Sequence, residues 1–169
     1  DIVNQITSLV DLGSTFGSNN QILLPTLKSI LSYRPNPKDE NDTQPSYRLA
    51  WVGSDTAICH IGTSLHKVPL ARLQEMYLLL GYNNRWELLE VIRILGPFPN
   101  VRNTLKGEVT VKKNNVSQKR EGVRMEIAYQ SMIDGTGKEI LAGKDDNVKR
   151  VKLDVWFANE QALVCTTVP

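Results

Sequence analysis

From Gly107 onward, apolar and polar residues alternate along the chain. Val109 and Val111 alternate with Glu108 and Thr110; Val123, Met125, Ile127 and Tyr129 alternate with Arg124, Glu126, Ala128 and Gln130; Val151, Leu153, Val155 and Phe157 alternate with Lys152, Asp154 and Trp156. A period of two predicts antiparallel strands, each wet on one side and buried on the other. Lys112 to Glu121, Asp134 to Lys138 and Asn159-Glu160 read as the turns between strands by composition. One such strand gains little alone, whereas several sharing an interior make a curved sheet or barrel worth forming.

The first half of the chain is patterned differently. Ile2, Ile6, Leu9 and Val10 share a helical face, predicting a helix over Asp1 to Leu12 that ends at Gly13. Leu24, Leu27, Ile30 and Leu31 predict a second helix from Leu24 to Ser32, with Pro25 in its first turn. Polar, proline-bounded residues 36–45 read as a linker. Tyr47, Leu49 and Trp51 then alternate with Arg48, Ala50 and Val52 up to Gly53, a strand with one buried aromatic face. Leu70, Leu73, Met76, Tyr77 and Leu80 fall at helical spacing behind Pro69, predicting an inserted helix over Val68 to Leu80, with a turn at Asn83-Asn84. Trp86 to Leu95 is ambiguous: Asn84 and Glu87 suit a capping box, while Val91, Ile92 and Ile94 favour a strand. The expected class is α+β, an antiparallel barrel or strongly curved sheet with N-terminal helices and one inserted helix. It divides into a helical segment (1–35), a linker (36–45) and a barrel-like domain (46–169).

Composition narrows the function classes. The chain has 169 residues, 41% of them hydrophobic and 22% charged, within the ordinary globular range. A net charge of +2 is too close to neutral for a nucleic-acid partner, which calls for a dense basic face. Cys59 and Cys165 each lie in apolar runs, which favours two reduced thiols over a bridge, although spacing alone leaves the bridge open. No apolar run approaches the ~20 residues needed to cross a bilayer as a helix. The chain begins at Asp1 and stops at Pro169 directly after a strand-like run, so both ends read as cut.

The chemistry is read mainly from what is missing. Ser54 follows a glycine but lacks the nucleophile-elbow pattern. Asp134-Gly135-Thr136-Gly137-Lys138 lacks the leading glycine and trailing hydroxyl of a phosphate loop, and reads as a hairpin turn. Cys59, His60 and His66 follow no zinc spacing, and a Cys and His in what reads as a strand pack more often than they ligate, so no metal site is expected. Lys112, Lys113, Lys119 and Arg120 cluster around a turn, either as a solvated tip or facing an acidic lipid or protein surface. Tyr47, Trp51, Tyr129 and Phe157 fall on apolar faces, as core or as the lining of a lipophilic pocket. Trp156 falls opposite Val155 and Phe157, as a second buried surface or a docking point.

Tyr47-Arg48-Leu49-Ala50-Trp51 followed by Gly53-Ser54-Asp55 resembles the opening W-x-L-x-Y-T-S strand of the plastid lipid-associated proteins, or plastid fibrillins. Glu90 to Leu95 and then Val101-Arg102-Asn103 are similar to that family's strand and N-x-V element, and Val151 to Phe157 resembles its R-V-x-V-x-F strand. The resemblance implies a lipocalin-like barrel behind a helical N-terminal part, located in a plastid at thylakoids or lipid droplets and binding lipophilic molecules. It also implies a strand at Trp86 to Leu95. Trp51 stands where the family has tyrosine, the Val68 to Leu80 helix is an insertion, and the family's C-terminal Asp- and Arg-containing motif is missing.

Two expectations follow. In the first, a non-catalytic, thylakoid-associated module holds a lipid, carotenoid or chlorophyll, with no covalent cofactor, against Tyr47, Leu49, Trp51, Met125, Ile127, Tyr129, Leu153 and Phe157. In the second, a filled barrel serves as a structural or assembly subunit of a photosynthetic membrane complex, such as a photosystem, docking through Trp156, Lys112 and Lys113. An enzyme is not expected, because no paired acid, base and oxyanion donors stand out.

Overall fold

The structure is a computed structural model that describes residues 20–34, 44–117, 120–143 and 148–168. The expected Asp1 to Leu12 helix and most of the linker lie outside the described residues. Helix α1 spans Asn20–Ser32 and helix α2 Asp55–Ile61, followed by a 3-10 turn at Leu65–Lys67. The strands are β1 (Ser46–Arg48), β2 (Ala71–Gly81), β3 (Arg85–Ile94), β4 (Val101–Ser117), β5 (Arg120–Ile133), β6 (Glu139–Leu141), β7 (Arg150–Ala158) and β8 (Leu163–Val168). They form one eight-stranded antiparallel sheet in the order β1-β2-β3-β4-β5-β7-β8, with β6 attached to β5. The sheet curls into a half-barrel. Its two margins approach where the Tyr47 hydroxyl of β1 donates to the Asn159 carbonyl in the β7–β8 turn, at 2.7 Å.

The inside of the curl is occupied by α1. Leu23, Leu27, Ile30 and Leu31 recur at helical spacing and are all buried, forming one core with Met76 and Leu80 of β2, Trp86 and Leu88 of β3, and the inward residues of β4, β5 and β7. The helix starts four residues earlier than its apolar stripe suggests, so Pro25 lies in the second turn rather than the first and removes one helix hydrogen bond there. Its far end is tied to the β2–β3 turn, where the Tyr82 and Asn84 N–H groups donate to the Tyr33 and Leu31 carbonyls. Asn83 and Asn84 take left-handed backbone angles in that turn, a conformation asparagine tolerates well.

The expected inserted helix over Val68 to Leu80 is a correction: this stretch forms β2. A bulge between Leu73 and Glu75 adds one residue to the strand. The inward phase therefore changes from Ala71 and Leu73 to Met76, Leu78 and Leu80, and the resulting three-residue step imitates a helix. Trp86 to Leu95 resolves as a strand, β3, with Trp86, Leu88, Glu90 and Ile92 buried. Ala57 to Ile61 falls in α2, so Cys59 and His60 are helical rather than in a strand, and His66 lies in the 3-10 turn. The Lys112 to Glu121 turn is largely strand, because β4 runs to Ser117 and β5 begins at Arg120.

The turns at 134–138 and 159–162 are where composition places them. The Asp134 carboxylate accepts from the Thr136 and Lys138 N–H groups, and the Asn159 N–H donates to the Ala162 carbonyl at 2.9 Å. Gly107 permits the close β4–β5 approach at its bulge, since a Cβ there would lie 2.6 Å from the Ala128 carbonyl oxygen.

Leu27 is fully buried between helix and sheet, whereas Ile22 on the same helix is exposed. Leu27→Ala is expected to lower stability by about 3 kcal/mol, and Ile22→Ala by less than about 0.5 kcal/mol, as read from urea unfolding midpoints.

Candidate functional site

One end of the sheet gathers the start of β2, the end of β3, the start of β4, the end of β5 and β6. The register shows this directly: Ala71 pairs with Ile94, Ile92 with Val101, Thr104 with Ile133, and Ile133 with Glu139. The exposed large apolar side chains collect here. Among the described residues, five of them lie at this rim: Trp51 beyond β1, Val68 and Leu70 before β2, and Leu95 and Phe98 between β3 and β4; Ile140 and Leu141 on β6 lie further along the sheet, beside Met132 and Ser131 of β5. Leu70 holds a left-handed backbone angle (φ 70°), unusual for a bulky residue, and its carbonyl accepts from the Leu95 N–H at 2.8 Å.

The same rim carries three arginines. Arg72 on β2 stands directly opposite Arg93 on β3, and Arg102 on β4 lies opposite Val91, two residues from Arg93. All three are exposed, and none has an ion-pair partner among the described residues. A like-charge cross-strand pair destabilises a sheet. Arg48, one strand away, is by contrast paired with Glu75 at 3.4 Å.

A shallow, open depression of about 560 Å³ lies at this end. Its apolar wall is Leu49, Trp51, Val52, Ile58 and Leu73, and its polar groups are Asp55, His66 and Arg72. Asp55 and Ile58 come from α2, so the pocket depends on how that short helix is held. A polar cluster behind it does the holding.

The buried Glu90 carboxylate of β3 accepts from the Thr63 N–H at 2.9 Å and the Thr63 hydroxyl at 2.5 Å, fixing the chain just after α2. The Tyr129 hydroxyl accepts from the Trp86 indole N–H at 3.1 Å and donates to the Ile61 carbonyl at 2.5 Å. The Lys149 ammonium donates to the Gly62 carbonyl and sits 5.7 Å from the Tyr129 ring centre. Gly62 packs against the Glu90 carboxylate with no room for a Cβ.

Protonation follows from these surroundings. Burial pushes the Tyr129 phenol well above its ordinary value, and burial with the Glu160 charge pushes Tyr47 up to about 12. Burial lowers Lys149, with Glu90 and Cys59 opposing the shift. The hydrogen bond from Lys67, at 2.8 Å, lowers the Asp55 carboxyl.

The expected ligand-binding residues are dispersed. Tyr47, Met125, Ile127, Tyr129 and Leu153 are buried in the core that α1 fills. Leu49 and Trp51 line the rim pocket, and Trp51 is 46% exposed rather than on a buried face, because β1 ends at Arg48. Phe157 is half-buried and outside the core cluster: a bulge between Val155 and Phe157 shifts the strand's phase so that Ala158 turns inward instead.

Trp156 is the extra residue of that bulge, half-buried, with its indole N–H donating to the Thr166 hydroxyl at 3.1 Å. Lys112 pairs with Glu126 at 2.8 Å, and Lys113 is exposed. These three lie toward the other end of the sheet, where Lys113 pairs with Val123 and Val123 with Val155. Both cysteines are free, and no cluster that could hold a metal occurs among the described residues.

Asp55, Arg72, Glu90 and the Leu70–Phe98 rim are not marked as site residues by the sequence, and His66 stands out there only as a zinc ligand without zinc spacing. Glu90 carried a signal: it sits in phase with Trp86, Leu88 and Ile92, so its carboxylate had to face inward. The opposed arginines carried none until the β2 bulge set the register. Compared with known proteins, the chain matches no family model, no curated protein and no solved structure. The fold and rim define a class only: an antiparallel half-barrel with a filled interior and a pocket at one end. No helix among the described residues is long and apolar enough to cross a membrane.

Tyr47 and Tyr129 keep their protons above pH 10 in the folded state, whereas the unfolded chain releases them near pH 10. The folded state therefore binds more protons in that window, and stability falls as pH rises from about 10 towards 12. Tyr129→Phe is expected to cost about 1–3 kcal/mol at pH 7 by leaving the Trp86 N–H and Ile61 carbonyl unpartnered, and to flatten that alkaline slope in urea melts at pH 9 and pH 11.

Proposed function

We propose that this protein is a non-catalytic lipid-binding module that rests its rim on an anionic lipid surface and takes the apolar part of one lipophilic molecule into the Trp51 pocket. The observation that carries this reading is the coincidence, at one end of the sheet, of five exposed apolar side chains and the opposed Arg72 and Arg93, which have no ion-pair partner among the described residues. Apolar groups exposed at a rim gain about 25 cal/mol for each Å² they bury, and each arginine near an anionic surface adds about 1 kcal/mol. An acidic headgroup beside Arg72 would leave its chain facing Leu49, Trp51 and Leu73. In this reading the module is lipocalin-like in architecture but not in where it binds, since helix α1 takes the interior place. The plastid and thylakoid setting rests only on the sequence resemblance of Tyr47 to Asp55, Glu90 to Leu95 with Val101 to Asn103, and Val151 to Phe157.

The filled interior favours a second reading, a structural subunit of a membrane protein complex that docks through Trp156 and Lys113. Vesicle sedimentation separates the two. The native chain is expected to bind phosphatidylglycerol-containing vesicles and not pure phosphatidylcholine. Arg72→Glu with Arg93→Glu should weaken that binding at least about 10-fold, and Leu70→Ser with Phe98→Ser should weaken it comparably, while Trp156→Ala has no effect. Equal binding by native chain and rim variants, or no vesicle binding by the native chain, would turn the account to the subunit reading.

A further inference from the structure

Beside the pocket, four groups that no lipid-binding role requires are drawn together. The Cys59 thiol lies 3.6 Å from His66 Nε2, and the same nitrogen lies 3.5 Å from the Asp55 carboxylate, which Lys67 holds at 2.8 Å. The His66 side chain is only 6% exposed, and its Nδ1 is buried with no hydrogen-bond partner among the described residues. A buried imidazole with one nitrogen unpartnered is costly unless it serves another purpose. His66 lines the pocket, and Cys59 is half-buried one turn of α2 beyond Asp55. Cys59 is therefore partly exposed and next to a base, with a carboxylate positioned to stabilise that base once protonated.

We propose that Cys59 is a site of reversible oxidative modification, activated by His66. The imidazole Nε2 accepts the thiol proton, and Asp55 stabilises the resulting imidazolium. The thiolate attacks a hydroperoxide: an S–O bond forms, the O–O bond breaks, and the departing oxygen takes a proton to leave as water or an alcohol. The sulfur is oxidised and the peroxide reduced by two electrons. The sulfenic acid then condenses with a low-molecular-weight thiol, forming a mixed disulfide and releasing water. An adduct on Cys59 displaces its contact with His66 and disturbs α2, which carries Asp55 and Ile58 of the pocket wall. This inference rests on the geometry of α2 and the 3-10 turn after it, and stands independently of the lipid-binding reading.

Cys165 supplies an internal control. Unlike Cys59, it has no histidine contact among the described residues, and burial pushes its thiol up to about 11. The test is residue-resolved mass spectrometry of the native chain at pH 7, first with iodoacetamide and then with hydrogen peroxide followed by glutathione. Cys59 is expected to alkylate on the order of 10-fold faster than Cys165 and to be the only residue carrying glutathione. His66→Asn should slow Cys59 about 10-fold while Cys165 stays slow, which also reports that the variant is folded. Should Cys165 become fast, the variant has unfolded and Asp55→Asn, on an exposed carboxylate, decides by the same slowing of Cys59. Equal rates at the two cysteines in the native chain, or a Cys59 rate indifferent to the folded variant, overturns the proposal.

Discussion

The structure depends on helix α1 lying in the concave face of the sheet. Leu27 and Leu31 are buried against inward residues of strands far apart in the sheet, so one amphipathic helix supplies the interior that a curled antiparallel sheet needs. The curl follows from that filling. The sheet wraps far enough for Tyr47 at one margin to reach the Asn159 carbonyl at the other. The consequence is spatial: Met125, Ile127 and Leu153 share the core with the helix, so the proposed lipid binding falls to the open end.

At that end the physical chemistry changes from apolar packing to a satisfied polar cluster. Glu90 is a fully buried carboxylate, tolerable only because Thr63 supplies two hydrogen bonds to it, with the Lys149 charge nearby. Together with Tyr129, it clamps a helix too short to persist by itself. The pocket wall and the Cys59–His66 pair both ride on this clamp. A lipid reaching the pocket and an oxidant reaching Cys59 would therefore act on the same small element.

Most of the sheet was legible in the sequence, because β5 and most of β7 alternate without interruption and their turns carry Asp, Asn and Gly. Legibility failed at bulges. One inserted residue between Leu73 and Glu75 gave β2 the spacing of a helix, and another at Trp156 turned Phe157 out of the core. The site was less legible for a related reason. Trp51 and Leu49 were chosen for their apolar character and do line the pocket, but their partners Asp55, His66 and Arg72 come from other elements. Opposed arginines 21 residues apart become visible only once the register is known.

The central claim is that the rim carrying Trp51 is the surface that meets lipid. Fluorescence quenching by bromine-labelled phosphatidylglycerol tests it most directly, because Trp86 is buried in the core and Trp156 lies toward the other end of the sheet. The account predicts strong quenching in the native chain that is largely lost in Trp51→Phe. Equal quenching in both proteins, or vesicle binding without any quenching, would contradict it.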